Sequence, residues 1–173
     1  MEAVRHLRIA GAMGVGKSTV CRPLAGHLPG CVLIDADILG TEMVATMQAE
    51  PDYDRFHHAL LRLALDISRS GVRVAYHGPV HPQQVERSSL SSLFDIRWLV
   101  LVADSETRKQ RALSRGSDPA FYDHHRAEHD ALDSDLRRVA RSNPQMQLVD
   151  TTHLSTEEVT RIAHEWAASA LAD

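Results

Sequence analysis

The stretch Leu7-Arg8-Ile9-Ala10-Gly11-Ala12-Met13-Gly14-Val15-Gly16-Lys17-Ser18-Thr19 constrains the fold more than any other part of the chain. A short apolar strand runs into glycines, then into Lys-Ser at a helix start. Gly11, Gly16, Lys17 and Ser18 fit G-x-x-x-x-G-K-[ST], the phosphate-binding loop motif. Consecutive backbone N–H groups must turn inward around phosphate oxygens, and that curvature excludes most Cβ atoms. The helix that follows points its positive end at the same anion. The residues expected to hold the nucleotide tail are therefore Gly11, Met13, Gly14, Val15, Gly16, Lys17, Ser18 and Thr19. Lys17 is expected on the β- and γ-phosphates of ATP, and the Ser18 hydroxyl on Mg²⁺.

A chain of 173 residues predicts one domain over 1–173 with a real core. The formal net charge of −4 offers no basic field for nucleic acid. No apolar run is long enough for a membrane span and no signal peptide is evident, so a cytoplasmic protein is expected, monomeric or homodimeric. Cys21 and Cys31 lack metal-type spacing and read as free thiols. His124, His125 and His129 have helical spacing that a metal can use, but a solvated helix face is the preferred account.

Apolar strands and helical patterns alternate throughout, which predicts an α/β fold with a parallel sheet covered on both faces. Strands are expected at 6–10, 31–34, 72–76, 96–102 and 146–149. Helices are expected at 17–28, 38–49, 52–70, 82–93, from about 105 to Arg115, 122–142 and 156–171. Pro51 separates the second and third helices, and Gly116-Ser117-Asp118-Pro119 reads as a turn. Asp104 or Ser105 caps one helix, and Ser155 with Glu158 has capping-box spacing before the last. In such a sheet ligands sit at the carboxyl ends of the strands. The strand ends collect the loop above, Asp35 and Asp37, His77 with Gly78, Asp104, and Asp150 with Thr151.

Asp35 and Asp37 alternate at the end of the second strand, so their side chains are expected to point the same way. Phosphoryl transfer needs one carboxylate for Mg²⁺ and often another for the acceptor's hydroxyl proton. Asp35 is assigned to the metal and Asp37 to the base, although which of the two is the base stays open. Arg108, Arg111 and Arg115 fall at i, i+3 and i+7, a cationic stripe suited to adenine stacking and phosphate charge. Arg126 is expected to join from a lid over about 115–130. His77, Gly78 and His81 are expected on the acceptor side with Asp37, and the helices over about 38–70 should hold the acceptor. Candidate catalytic residues are thus Lys17, Asp37 and Arg115. From Asp35 to Asp54 the charged residues are all acidic, which argues for a neutral or cationic acceptor.

On these residues the chain resembles the small P-loop kinases related to nucleoside-monophosphate kinases, among them shikimate kinase, gluconate kinase, chloramphenicol phosphotransferase and zeta-toxin-like kinases. Asp35-Ala36-Asp37 is similar to the D-x-D of shikimate kinase, which implies a metal-shell role for the first and acceptor contact for the second. Arg111 and Arg115 resemble the adenine-stacking and lid-proximal arginines of adenylate kinase. Thr151, Thr152 and His153 match the loop that flanks the base. The fold implied is a five-stranded parallel sheet in the order 2-3-1-4-5. His77 stands where many relatives carry a Walker B Asp, and neither G-D-x-x-R nor N-K-x-D is present. The resemblance implies ATP-dependent transfer to a hydroxyl of a small metabolite or antibiotic. Alternatives are a nucleoside or nucleotide kinase, a zeta-toxin-like nucleotide-sugar kinase, and a nucleotide-binding regulator without acceptor chemistry.

Overall fold

The computed structural model describes residues 3–40 and 52–172. Its elements are β1 (Val4–Ala10), α1 (Lys17–Ala25), β2 (Cys31–Asp35), α2 (Tyr53–Ser68), β3 (Arg73–Gly78), α3 (Pro82–Glu86), β4 (Phe94–Val102), α4 (Ser105–Ser114), α5 (Pro119–Ala140), β5 (Met146–Asp150) and α6 (Thr156–Ala172). All strand pairs are parallel, as the alternation of strands and helices predicts, and their order β2-β3-β1-β4-β5 is the one the resemblance implies. No described helix is long and apolar enough to cross a membrane.

Alternation along the central strands feeds two cores. Leu7 and Ile9 of β1 with Leu99 and Leu101 of β4 pack under Val20 and Leu24 of α1 and Ala163, Trp166 and Ala167 of α6. Ala10, Tyr76, Trp98 and Val100 face the other way, under Phe56, Leu60 and Leu61 of α2, Val85 of α3 and Leu136 of α5. Both faces being covered explains the nearly continuous apolar run Trp98–Val102.

Several boundaries differ from expectation for local reasons. The first helix stops at Ala25 rather than at residue 28; Pro23 lies inside it, Gly26 caps it, and the His27 ring turns back to the Pro23 carbonyl at 2.8 Å. The helix expected over 82–93 breaks after Glu86. There the Ser88 hydroxyl accepts the Leu90 N–H at 3.2 Å and the Ser91 hydroxyl donates to the Glu86 carbonyl, a local alternative to the helical ladder. A 3₁₀ turn over Ser91–Leu93 leads into β4, which begins at Phe94. Helix α5 begins at Pro119, not at 122, because Asp118 is its N-cap and Pro119 occupies the first helical position. Asp104, not Ser105, caps α4, accepting the Thr107 N–H at 2.7 Å. The Ser155–Glu158 box forms as expected. Of the helix expected over 38–49, residues 36–40 are helical; the rest, with Pro51, lies outside the described residues.

Two fully buried histidines load the second core. His6 packs edge-on against Tyr76 and beside Phe94, and His57 of α2 is 3% exposed. Burial holds both imidazoles well below their ordinary pKa, to about 4 for His57, with the nearby Arg8 charge adding to the effect. The unfolded chain takes up these protons near pH 6.5, whereas in the folded chain His57 refuses its proton until about pH 4 and His6 is likewise held well below 6.5. Their contribution is therefore complete above pH 6.5 and is lost as pH falls through that window, by up to roughly 1.4 kcal/mol per pH unit for each buried ring. We expect a melting temperature that is level from pH 8 to 7 and falls steeply from 6.5 to 5, with His6→Leu reducing the slope. A slope unchanged in that variant contradicts the assignment.

Candidate active site

The loop between β1 and α1 is built around close approaches. At Gly11 a Cβ would meet the Leu101 carbonyl oxygen at 2.3 Å, and at Gly14 it would meet the Arg108 carbonyl oxygen at 2.3 Å. Gly14 also has φ +82. The loop is thus clamped between β4 and α4, and only glycine permits the clamp. A comparison isolates this effect. Gly71 has φ +80 but open space around it, so Gly71→Ala carries only the left-handed strain, about 1–2 kcal/mol. Gly14→Ala adds a backbone collision, and we expect about 2–4 kcal/mol of destabilisation in denaturant titration. Equal costs at the two positions would show that the clamp is slack.

Helix α1 starts differently from its neighbours. Asp52, His81, Asp104, Asp118 and Ser155 supply side-chain caps to α2, α3, α4, α5 and α6. Among the described α-helices, α1 alone has no side-chain cap; its N-cap is Gly16, at φ 103, and its first turn holds no acid. Its opening N–H groups and its positive end are left to whatever anion the loop receives. Lys17, 6% exposed, folds back so that Nζ donates to the carbonyls of Gly11 (2.8 Å) and Ala12 (3.1 Å). Nζ also lies 3.9 Å from Asp37 Oδ2. Burial pulls the Lys17 ammonium below its ordinary pKa, against the pull of Asp37 and Asp35. Ser18, next in the helix, is half-buried at the same mouth.

The two aspartates do not alternate along a strand. β2 ends at Asp35, and Asp37 stands in the helical turn over 36–40. Asp35 Oδ1 accepts the Asp37 N–H at 2.9 Å, so half of this carboxylate caps the turn, and Oδ2 lies 3.7 Å from His77 Nε2. The turn nonetheless delivers Asp37 to the loop, because Gly78 leaves it room: a Cβ at Gly78 would come within 3.2 Å of Asp37 Oδ1. Burial pushes the Asp37 carboxyl up, with Asp35 adding to the rise and Lys17 and His77 opposing it. Burial also keeps His77 below the ordinary imidazole range, and its Nδ1 is enclosed without a partner.

On the opposite flank, Arg111 of α4 donates to the Thr151 hydroxyl (2.9 Å) and carbonyl (2.7 Å). The Thr151 hydroxyl lies within hydrogen-bond distance of the Val15 and Val102 carbonyls, at 3.1 and 3.2 Å. Arg115 reaches Thr19 Oγ1 at 2.5 Å. These residues with Val15, Val20, Leu154 and Val159 line an open cleft beside the loop. Its apolar wall and two guanidinium groups suit a heterocyclic base. Thr152 is tied to Asp150 and accepts the Asp104 N–H, and His153 is exposed on the following turn.

The expected arginine stripe splits. Arg111 and Arg115 face the loop, whereas Arg108 is 1% exposed, donates to the Ala103 carbonyl and pairs with Asp130 of α5. Arg126 pairs with the same Asp130 at 3.7 Å and makes no described contact with the loop. His81 caps α3 and has Asp135 and Arg138 of α5 near it rather than Asp37. Two supports were missed in the sequence. Asp133 accepts the Ala103 N–H (3.1 Å) and Arg137 Nε (2.7 Å), and Arg137 spans to Asp150, fixing α5 to the ends of β4 and β5. Their signal was a polar i, i+4 pair on the buried side of α5. Among the described residues no three His, Cys, Asp or Glu side chains are grouped to hold a metal; on α5, His125 pairs with Glu128.

The sequence matches no protein-family model and no curated protein. Solved structures do match. A sugar kinase from Janibacter sp. HTCC2649 superposes with a TM-score of 0.66 at 19% identity, covering 95% of each chain. A gluconokinase from Sinorhizobium meliloti 1021 gives 0.64 at 19% identity, over 98% of this chain and 94% of that one. The tunicamycin resistance protein of Deinococcus radiodurans gives 0.65 at 15% identity, over 97% and 96%. Such identities speak to the fold, and the fold of this chain over nearly its whole length is the one that P-loop kinases share.

Proposed function

We propose that the chain is an ATP-dependent phosphotransferase that moves the γ-phosphoryl group to a hydroxyl of a small molecule. The observation that carries this reading is the pairing of an uncapped α1 N-terminus with Lys17 and Asp37 3.9 Å apart at its mouth. With Asp35 available for the metal, the second carboxylate beside the lysine can take an acceptor's hydroxyl proton. The kinase structures that share the fold support the reaction class.

In this reading the amides from Gly11 to Thr19 hold the polyphosphate, and Lys17 leaves the Gly11 and Ala12 carbonyls for the β- and γ-phosphates. Arg111, Arg115 and the Thr151–His153 turn hold the base. The residues fit a magnesium ion: the Ser18 hydroxyl and the Asp35 oxygen not fully used in capping are hard oxygen donors, and Mg²⁺ takes most of its shell from phosphate and water. When bound, the metal neutralises charge on the phosphates. Asp37 accepts the acceptor's hydroxyl proton as the new O–P bond forms and the bond to the β,γ-bridging oxygen breaks, releasing ADP. His77 and Gly78 bound the acceptor side, with the segment over about 38–70; His81, turned toward α5, takes no part. Arg126, in the lid over about 115–130, must exchange Asp130 for phosphate if it is to take part.

ADP release across a panel of hydroxylated metabolites, nucleosides and aminocyclitols tests the reading. One acceptor giving stoichiometric ADP and phosphorylated product supports it. Tight Mg–ATP binding with no acceptor-stimulated turnover would favour the regulator instead.

A further inference from the structure

The turn after β5 is held from behind by charges that the phosphate chemistry does not use. Asp150 closes β5, and its Oδ1 accepts both the Thr152 N–H at 3.0 Å and the Thr152 hydroxyl at 2.6 Å. Its Oδ2 accepts Arg137 Nη1 of α5 at 2.7 Å. Arg137 Nε donates at 2.7 Å to Asp133, whose other oxygen accepts the Ala103 N–H just past β4. From the opposite side the Thr152 hydroxyl accepts the Asp104 N–H at 3.0 Å. Thr152 is thus gripped between the ends of two strands, and one guanidinium spans the two carboxylates behind it.

Burial of these groups falls along the chain of bonds. The Asp133 side chain is nearly enclosed, whereas that of Asp150 is 49% exposed. Burial pushes the Asp150 carboxyl up, but the Thr152 and Arg137 hydrogen bonds outweigh it and hold the carboxyl down to about 2, so it is charged at neutral pH. An ion pair so open to water adds little to global stability. What it fixes is geometry: a carboxylate with one oxygen on Thr152 and the other on Arg137 has a single orientation. Thr152 lies between Thr151 and Leu154, and both of those line the cleft beside Arg111 and Arg115. Arg111 fixes Thr151 from the cleft side, whereas the described hydrogen bonds of Thr152 run to Asp150 and Asp104. The phosphate loop meets this turn at Val15, through Thr151 rather than Thr152.

We propose that Arg137 and Asp150 are positioning residues for the nucleotide base, setting through Thr152 the shape of the turn that the base packs against. The inference rests on the kinase reading above and deepens its nucleotide side. Neither residue lines the cleft; both act through the turn. Affinity then divides in two. The share that comes from the phosphates depends on the loop after β1, and the share that comes from the base depends on α5 being docked on the ends of β4 and β5.

The test compares Mg–ATP with Mg–tripolyphosphate by calorimetry on the whole chain, because the two share their phosphates and differ by the nucleoside. We expect the wild type to bind Mg–ATP about tenfold or more tightly than tripolyphosphate. Asp150→Asn keeps the shape and gives up the charge that faces Arg137; Arg137→Met removes the guanidinium. Each should lower Mg–ATP affinity by about fivefold or more and leave Mg–tripolyphosphate within about twofold of wild type. The double variant should lose no more than the larger single loss, as residues acting through one contact do. A merely structural role would weaken both ligands together. Arg137→Met also strands the enclosed Asp133 carboxylate, and where that variant does not fold, Asp150→Asn carries the test. Equal losses for the two ligands, or Mg–ATP affinity unchanged in Asp150→Asn, overturns the inference and leaves the kinase reading standing. A wild type that binds the two ligands equally does the same. A wild type that binds neither takes down both.

Discussion

Lys17→Met will leave the chain folded and take away most of its hold on Mg–ATP. In the structure Lys17 is a buried ammonium whose hydrogen bonds go to two loop carbonyls, with Asp37 at the edge of ion-pair range. Removing it leaves those carbonyls short of a donor but also removes a desolvated charge, and the two effects oppose each other. We expect the melting temperature to move by only a few degrees. Toward the nucleotide there is no such cancellation. A charge-assisted hydrogen bond is worth about 1.5–3 kcal/mol, so calorimetry should show affinity for Mg–ATP falling roughly 10- to 100-fold. The rate of transfer should fall further, by about 10³, because charge on the transferring group peaks in the transition state. Intact transfer in a folded Lys17→Met protein would remove Lys17 from the chemistry.

Asp37→Asn should separate binding from chemistry. The substitution keeps the shape beside Gly78 and removes the oxygen that accepts a proton. Burial already pushes the Asp37 carboxyl toward the protonated form while Lys17 and His77 hold it back, which leaves its basicity tunable by the ligand. We expect Mg–ATP affinity within a fewfold of wild type and acceptor-stimulated ADP release lowered about 10²–10⁴-fold. The neighbouring Asp35–His77 pair provides the control. If Asp37→Asn turns over normally and His77→Gln does not, the base is His77, oriented by Asp35 Oδ2 at 3.7 Å.

The strands were legible because they are apolar runs punctuated by glycine and proline, and their order was implied by the resemblance to small P-loop kinases. The loop at Gly11–Thr19 was legible because its geometry admits so few sequences. What misled was side-chain competition with the backbone. Ser88 and Ser91 ended a helix that the apolar spacing would have continued, and Asp35 turned the chain into a helix where alternation implied a strand. Pro119 read as a turn because Asp-Pro serves equally as a cap and first helical residue. The arginines of α4 show the limit of spacing arguments. Positions 108, 111 and 115 share a face in projection, but the acid on the neighbouring helix, Asp130, claims the first of them.

The central claim is that the amides following β1 close around a polyphosphate. Amide hydrogen exchange, measured with and without Mg–ADP, addresses those groups one by one. The account predicts slowed exchange concentrated in residues 13–19, with a second patch at 151–156 where the base would lie. Unchanged exchange through 13–19 at saturating nucleotide, or protection appearing only elsewhere in the chain, would contradict it.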